Sequence, residues 1–299
     1  MFGPNTYFKD KVNINYSHRD IQFFEYYKKV QEKFKQVFNL EDYDIMFIPG
    51  SATVGIESLM YSLQVPLEII GVEGTFKHRW TDMYREYYRR LTTNQKSKTK
   101  INLYCNYETS VSESFYSDED CFIDATSGFP YFDFPKNCRG FITSLNKQLG
   151  SYVGLAIVGI RKDSWNLFKN DSEMSYLNLA RYKTYAEQNQ GPATFPTFIL
   201  EHFLKVLNKF DINKLREKIN NISEIILNYV DEDALIGNKI GPCITFKKDY
   251  IPEEICRKYD LYGYWAHREH IQMFTYNGTK RQYKKVMKEI YKYHNKKVK

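Results

Sequence analysis

The sequence predicts an α/β fold built on a mostly parallel sheet. Apolar, strand-like runs alternate with amphipathic helical patterns through the first 160 residues, which is typical of strands joined by helical crossovers. Several runs end in glycine or in a polar residue, and 299 residues suffice for a large core. Ligands of such folds bind at the carboxyl ends of the strands, so residues there are the first candidates for function.

The elements of the first part follow from periodicity. Residues 21–38 carry apolar side chains at helical spacing with Lys and Glu on the other face, which predicts an amphipathic helix. The remaining elements are strands at 44–48, 67–72, 101–105, 121–124, 140–145 and 154–160, helices at 54–63 and 77–91, and an exposed connector at 93–100.

A small-residue turn, Pro49-Gly50-Ser51-Ala52-Thr53, joins the first strand to the second helix. The N–H groups in the first turn of a helix are unpaired and the helix dipole favours negative charge, so this junction predicts an anion site. Ser51 and Thr53 can also be ordinary N-caps, and capping is compatible with binding an anion.

The second part predicts a smaller domain. A long helical pattern from Thr197 to about Val230, with a polar middle at 211–213, leads into it. We place a large domain at 15–200 and a small C-terminal domain at 201–299, with 1–14 packing on the small one. The later elements are strands at 241–246 and 271–275 and helices at 251–259 and 280–294.

Lys147 and Asp124 are the most informative pair. Each follows or ends a strand-like run, and a lysine at the mouth of a buried sheet is costly unless its amine has a role there. Taken alone, Asp124 is as compatible with a helix or turn cap as with a partner for a ligand ring. Together, an acid and a lysine at neighbouring strand ends are what pyridoxal phosphate requires: the lysine forms the Schiff base and the acid keeps the pyridine nitrogen protonated.

Composition narrows the class of protein. Five dispersed cysteines without a C-x-x-C pair indicate reduced thiols and a cytoplasmic location. The start of the sequence has no leader pattern and no apolar run approaches 18 residues, so we expect no membrane partner. The net charge of +7 is partly carried by the Lys-rich tail, which we interpret as a solvated helix end. We expect no nucleic-acid partner and no metal.

Seven segments, in order, resemble motifs of the class V aminotransferases, within the fold-type I pyridoxal-phosphate enzymes. The similarity is to 2-aminoethylphosphonate, serine/alanine–glyoxylate and phosphoserine aminotransferases, and this chain is shorter than typical members. The segments are Gly3-Pro4 with 17–23, 49–53 with Glu57, 74–76 with Arg79, 106–110, 124–127, 144–147 and 191–197.

The resemblance implies a seven-stranded-type sheet, a small α+β domain and a homodimer with active sites at its interface. It also assigns roles to single residues, as follows: Lys147 as the Schiff-base lysine, Asp124 on the pyridine nitrogen, Ser51, Ala52 and Thr53 on the phosphate, Phe76 and Thr126 on the two ring faces, Thr109 on the ring hydroxyl, Asn146 on the phosphate or ring, and Thr194 on the neighbouring subunit's phosphate.

The sequence departs from the family near its C-terminus. The arginine that grips the substrate carboxylate falls on His270 or Gln272, and neither replaces a guanidinium fork. The candidate substrate-binding residues are His18, Arg19, His267, Arg268 and His270.

We therefore predict an aminotransferase that moves an amino group from a small amino acid or aminophosphonate to a 2-oxo acid. The missing arginine leaves two alternatives, a lyase or decarboxylase using the same cofactor and a non-catalytic binding or scaffold protein.

Overall fold

Two compact units make up the protein. The computed structural model describes residues 17, 19–91, 100–169, 175–263 and 270–297. The large unit contains the described residues up to Asn106 together with Phe115–Phe210, and the small unit contains Tyr107–Ser114 and the described residues from Asp211 onward.

The helices are α1 (Ile21–Phe38), α2 (Ala52–Ser62), α3 (Thr75–Leu91), α4 (Leu179–Glu187), α5 (Thr197–Leu207), α6 (Ile212–Leu227), α7 (Glu253–Tyr259) and α8 (Lys280–Lys297). The strands are β1 (Tyr43–Pro49), β2 (Leu67–Ile69), β3 (Ile101–Cys105), β4 (Tyr107–Glu108), β5 (Glu113–Ser114), β6 (Cys121–Asp124), β7 (Cys138–Ser144), β8 (Leu155–Arg161), β9 (Leu235–Ile236), β10 (Cys243–Phe246) and β11 (Ile271–Phe274). Short 3₁₀ helices occupy Lys162–Leu167 and Glu232–Ala234. Within the described ranges, no helix has the length and apolar character needed to cross a bilayer.

The main sheet has the order β1-β8-β7-β6-β3-β2, with six strands in the described part of the chain where the resemblance implied seven. Neighbours from β2 to β7 pair in parallel, whereas β8 runs antiparallel to both β7 and β1. The sheet is therefore mostly parallel, as predicted. Its inner strands are buried on both faces, which explains their continuous apolar sequences.

Helix α2 lies directly on the sheet because it carries a glycine at the contact. A Cβ at Gly55 would lie 2.8 Å from Ile142 and 3.2 Å from Val158, so a larger residue would push the helix away from β7 and β8. This close packing fixes the first turn of α2 at the edge where β7 ends.

The boundary between the units falls after Phe210, ten residues later than the predicted domain boundary. Helix α5 belongs to the large unit because its apolar face packs on α1: the rings of Phe34 and Phe203 lie 6.0 Å apart, and Leu200 is fully buried in the same core. The polar middle of the predicted long helix is the break between α5 and α6, where Asp211 caps α6 by accepting from Lys214 N at 3.0 Å. The predicted packing of residues 1–14 lies outside the described residues.

The small unit is built on an antiparallel sheet, β11-β10-β9. Helices α6, α7 and α8 contribute Ile222, Ile255 and Ile290 to its core, together with Phe246 of β10. The predicted α+β character of this part is confirmed.

Candidate functional site

The parallel strands β3, β6 and β7 all end at one edge of the main sheet. Asp124 is the last residue of β6, and its register partners are Cys105 at the end of β3 and Ile142 near the end of β7. Lys147 follows β7 by three residues. The topology thus brings the two residues singled out from the sequence to the same edge, as expected for strands that point the same way.

The Lys147 side chain is held between a hydroxyl and an aromatic ring. Its Nζ donates to Ser127 Oγ at 2.8 Å and lies 5.9 Å from the centre of the Phe76 ring. A tight turn fixes the backbone around it, with Gly150 N donating to Lys147 O at 3.0 Å and Ser151 N donating to Leu145 O at 2.8 Å. The amine is therefore oriented before any ligand binds.

Asp124 is a buried carboxylate without a cationic partner among the described residues. It is 1% exposed. Its Oδ2 accepts from Trp80 Nε1 at 2.9 Å, and its Oδ1 accepts from Thr126 N at 3.0 Å and from the Thr126 hydroxyl. These donors are neutral, and a buried carboxylate is stabilised further by a positive charge. The site therefore fits a ligand that brings a protonated ring nitrogen to this carboxylate.

Trp80 is a site residue that the sequence analysis missed. It lies one helical turn after Phe76 on α3, and the two rings stack with centroids 6.0 Å apart and planes 27° from parallel. The i, i+4 spacing from Phe76 puts both rings on one helix face and was the available signal. Trp80 thus links α3 to the buried acid.

Ser127, Gln148 and Asn106 were also missed. Gln148 Nε2 donates to Ser127 O at 2.5 Å, which ties the Lys147 loop to the segment after β6. Asn106 follows β3, and its amide lies so close to Gly128 that a Cβ there would be 2.3 Å from Asn106 Oδ1. Asn106 Oδ1 and Gln148 Oε1 are buried without a hydrogen-bond partner among the described residues. Ser127 and Asn106 had a sequence signal, since Ser127 closes the 124–127 segment and Asn106 opens the 106–110 segment, whereas Gln148 had none.

The start of α2 is open, as an anion site requires. Gly50 has φ +130, a left-handed conformation that favours glycine, and its N–H donates to Gly154 O at 2.8 Å. Ser51 occupies the N-cap position but its side chain makes no capping hydrogen bond. Ala52 is buried and Thr53 half-buried in the same turn. The first-turn N–H groups are therefore not covered by the Ser51 side chain.

Three predicted residues lie in or near loops. Asn146 is half-buried beside Lys147, Thr194 is exposed between α4 and α5, and Arg19 is exposed just before α1. His18, His267 and Arg268 lie outside the described residues.

Thr109, His270 and Gln272 belong to the small unit. Thr109 is buried, and its carbonyl accepts from Thr245 Oγ1 at 2.9 Å and from Gln272 Nε2. Gln272 is thus engaged in a structural bond on β11. His270 is half-buried and its Nδ1 has no hydrogen-bond partner among the described residues. Gln272 Oε1 is likewise buried without a hydrogen-bond partner among the described residues, so both positions where the family's arginine falls keep an uncommitted polar atom.

The cysteines are poor nucleophiles. All five are buried, and none of them forms a disulfide bond. Burial raises the pKa of the Cys121 thiol to about 11 and that of Cys138 to about 12. Both stay protonated at neutral pH, in agreement with a packing role.

The fold matches solved structures although the sequence does not match known families. No protein-family model matches the chain, and no curated protein does. A phosphoserine aminotransferase from Cytophaga hutchinsonii has 18% identity and a TM-score of 0.74, covering 93% of this chain and 90% of that one. A ureidoglycine–glyoxylate aminotransferase from Bacillus subtilis has 15% identity and a TM-score of 0.75, covering 95% and 88%. A pyridoxamine–pyruvate aminotransferase from Mesorhizobium loti has 15% identity and a TM-score of 0.74, covering 97% and 90%. The chain therefore has the fold of these aminotransferases, which is the fold that the resemblance implied.

Proposed function

We propose that this protein is a pyridoxal-phosphate-dependent aminotransferase that moves an amino group from a small amino acid or aminophosphonate to a 2-oxo acid. One observation carries the proposal: the Lys147 amine, oriented by Ser127 and facing Phe76, is at the same sheet edge as a buried carboxylate that lacks a cationic partner among the described residues. The likeness of the fold to the aminotransferases supports it.

Each residue has a role that follows from its surroundings. Lys147 Nζ would hold the cofactor, and the same amine, once freed by the substrate, would act as the general base and acid for the proton of the substrate α-carbon. Asp124 would hold the proton on the ring nitrogen, and Trp80 and Thr126 keep that carboxylate in place. When bound, pyridoxal phosphate supplies the electron sink for the charge released at the α-carbon.

The remaining contacts position the cofactor. We assign the phosphate to the first turn of α2, with Ser51, Ala52 and Thr53, because its N–H groups and dipole favour an anion. Phe76 and Thr126 cover the two ring faces, Thr109 binds the ring hydroxyl, and Asn146 contacts the phosphate or ring. His18, Arg19, His267, Arg268 and His270 are the candidates for binding the acid group of the substrate.

We further propose a cytoplasmic homodimer in which Thr194 of one subunit binds the phosphate held by the other. The exposure of Thr194 supports its availability to a second subunit. The five cysteines form no disulfide bond, which supports a reducing compartment.

The proposal is tested by locating the cofactor on the chain. Purified protein incubated with pyridoxal phosphate should absorb as a lysine adduct, and borohydride reduction should leave the label on the peptide that contains Lys147. Lys147→Ala should lose the covalent label. Lys136→Ala, an exposed lysine at the other end of β7, is the control and should keep it. A label on another lysine, or no label on the wild type, would contradict the proposal.

Transamination is tested separately by adding candidate amino donors to the loaded protein. A donor that converts the bound cofactor to its amine form, with release of one equivalent of oxo acid, identifies an aminotransferase. Release of carbon dioxide would instead indicate a decarboxylase, and release of ammonia with the cofactor returned to its aldehyde form would indicate a lyase. A spectrum unchanged by every amine would indicate the non-catalytic alternative.

A further inference from the structure

The large unit contains a concavity at the β1 edge of its sheet. A cleft of about 230 Å³ lies among α1, β1 and α4, and its polar lining residues are Gln31, Lys35, Asp44, Tyr182, Lys183 and Glu187. It opens at the amino-terminal part of β1, whereas the candidate site is at the end where Pro49 lies. The five residue-to-residue steps from Asp44 to Pro49 span roughly 16 Å of strand, so the cleft is separate from the Lys147 site.

Lys35 brings a positive charge to the cleft, where Asp44, Glu32 and Glu41 attract it without direct ion-pair contact and Lys162 repels it. It lies in the last turn of α1 and is half-buried. Its Nζ has no hydrogen-bond or ion-pair partner among the described residues. Burial lowers the pKa of Lys35, and the attraction of Asp44 opposes this only in part. A bound carboxylate would compensate for the desolvation of this amine.

Asp44 brings the opposite charge from the floor of the cleft. Its Oδ2 accepts from Trp165 Nε1 at 2.8 Å. Asp44 and Lys35 line the same space, but they are not in ion-pair contact. On the α4 wall, Lys183 and Glu187 form a second pair of opposite charges, 3.7 Å apart, and Lys183 Nζ lies 5.2 Å from the centre of the Trp165 ring.

This charge pattern selects among small ligands. A simple anion attracted to Lys35 would be repelled by Asp44 and Glu187, and a simple cation attracted to Asp44 would be repelled by Lys35 and Lys183. A molecule that carries both charges satisfies both walls. The volume is below the range usual for drug-sized ligands, and Met46 and Ala186 offer apolar contact for a short side chain.

We propose that the cleft binds a small α-amino acid as its zwitterion, with the carboxylate toward Lys35 and the ammonium toward Asp44. This binding site is additional to the candidate active site and does not rest on the proposed aminotransferase activity.

Trp165 supplies a direct readout, because its indole N–H donates to Asp44 and its ring lies beside Lys183. The full chain, loaded with pyridoxal phosphate, is titrated with alanine while the indole N–H signals are followed by NMR, with Trp165→Phe to assign the signal. Alanine should move the Trp165 signal saturably. Propionate and ethylamine, which each retain one of the two charges, should bind at least about tenfold more weakly. A Trp165 signal that alanine does not move, or propionate that binds as well as alanine, overturns the proposal.

Variants locate the binding groups. Lys35→Met and Asp44→Asn should each weaken alanine binding at least about tenfold, and Asp44→Asn retains an oxygen that accepts from Trp165. Lys29→Met and Asp42→Asn, exposed neighbours on α1 and before β1, are the matched controls and should bind like the wild type. Wild-type affinity in both cleft variants overturns the proposal.

The Trp80 NMR signal distinguishes binding at the candidate active site from binding in the cleft, because the Trp80 indole donates to Asp124 in the candidate site. Alanine that moves Trp80 alone overturns the cleft proposal and leaves the function intact. Failure to load the cofactor would contradict the function, while the Trp165 titration would still report on the cleft.

Discussion

Asp124 shows how a single buried charge is prepared for a ligand. Its carboxylate is held by two neutral neighbours, Trp80 from α3 and Thr126 two residues later. Neutral donors satisfy its lone pairs and fix its direction without neutralising its charge. A lysine or arginine in place of Trp80 or Thr126 would form a salt bridge with Asp124. That salt bridge would neutralise the negative charge that a protonated ring nitrogen requires.

We expect Trp80→Phe to destabilise the protein without cofactor by about 1–3 kcal/mol, beyond the loss of ring volume, because a buried carboxylate oxygen loses its donor. Urea unfolding measures the change in the free energy of unfolding. Trp165→Phe removes the same atoms from a tryptophan that bonds Asp44, but that carboxylate is half-buried and water can replace the indole. Equal losses in the two variants would contradict a special role for the Trp80–Asp124 bond.

At the scale of elements, α2 combines two requirements. Its body packs on β7 and β8 through Gly55. In its first turn Val54 N donates to the Ser51 carbonyl at 2.9 Å, but the Ser51 side chain caps none of the N–H groups. An ordinary helix in this place would gain from a capping side chain. The absence of the cap is consistent with an anion that takes its place.

Thr53→Asp tests the assignment of the phosphate. An acid in the first turn of a helix should stabilise the protein without cofactor by about 0.3–1 kcal/mol. The same charge should repel the phosphate, by about 3 kcal/mol at roughly 5 Å, which is on the order of a 10²-fold loss of cofactor affinity. Urea unfolding and a cofactor titration measure the two effects, which have opposite signs.

Asn213→Asp is the matched control, in the first turn of α6 in the small unit. It should give the same small gain in stability and leave cofactor affinity unchanged. Unchanged affinity in Thr53→Asp as well would exclude the first turn of α2 as the phosphate site.

At the scale of the whole molecule, the proposed homodimer makes a prediction about mixed subunits. Thr194→Glu should lose cofactor binding because a carboxylate would face the partner's phosphate, and Lys147→Ala should lose the covalent label. A mixed dimer of the two contains one intact site, so an equal mixture should regain roughly a quarter of the wild-type labelling. Light scattering gives the oligomeric state, and borohydride labelling gives the recovery.

The control is the labelling of the mixture measured before and after the subunits exchange, since labelling should recover only once they have exchanged. A monomer in solution, or Thr194→Glu with normal labelling, would contradict the shared site.

Particular helices and strands show how far the sequence predicted the fold. The helix at Ile21–Phe38 and the strands at Ile101–Cys105 and Cys121–Asp124 match their predicted bounds, because each has a strong local period and flanking polar residues. Helix α4 was missed because it has only nine residues and only Leu179 and Tyr182 of them are buried, which is too short a stripe to show a helical period. The β4–β5 pairing was missed because two-residue strands are too short to show alternation.

The sequence by itself determined the alternation of strands and helices and the chemistry of the candidate site. Periodicity and residue type are local properties, so Lys147, Asp124 and the 49–53 turn could be recognised without coordinates. Only the tertiary structure decided which side chains support them. Trp80 on Asp124 and Ser127 on Lys147 are bonds between residues 44 and 20 positions apart. Such bonds depend on strand order and on helix packing against the sheet, which no local pattern encodes. The same is true of the cleft at β1, where α1 and α4 bring together charges from three separate segments.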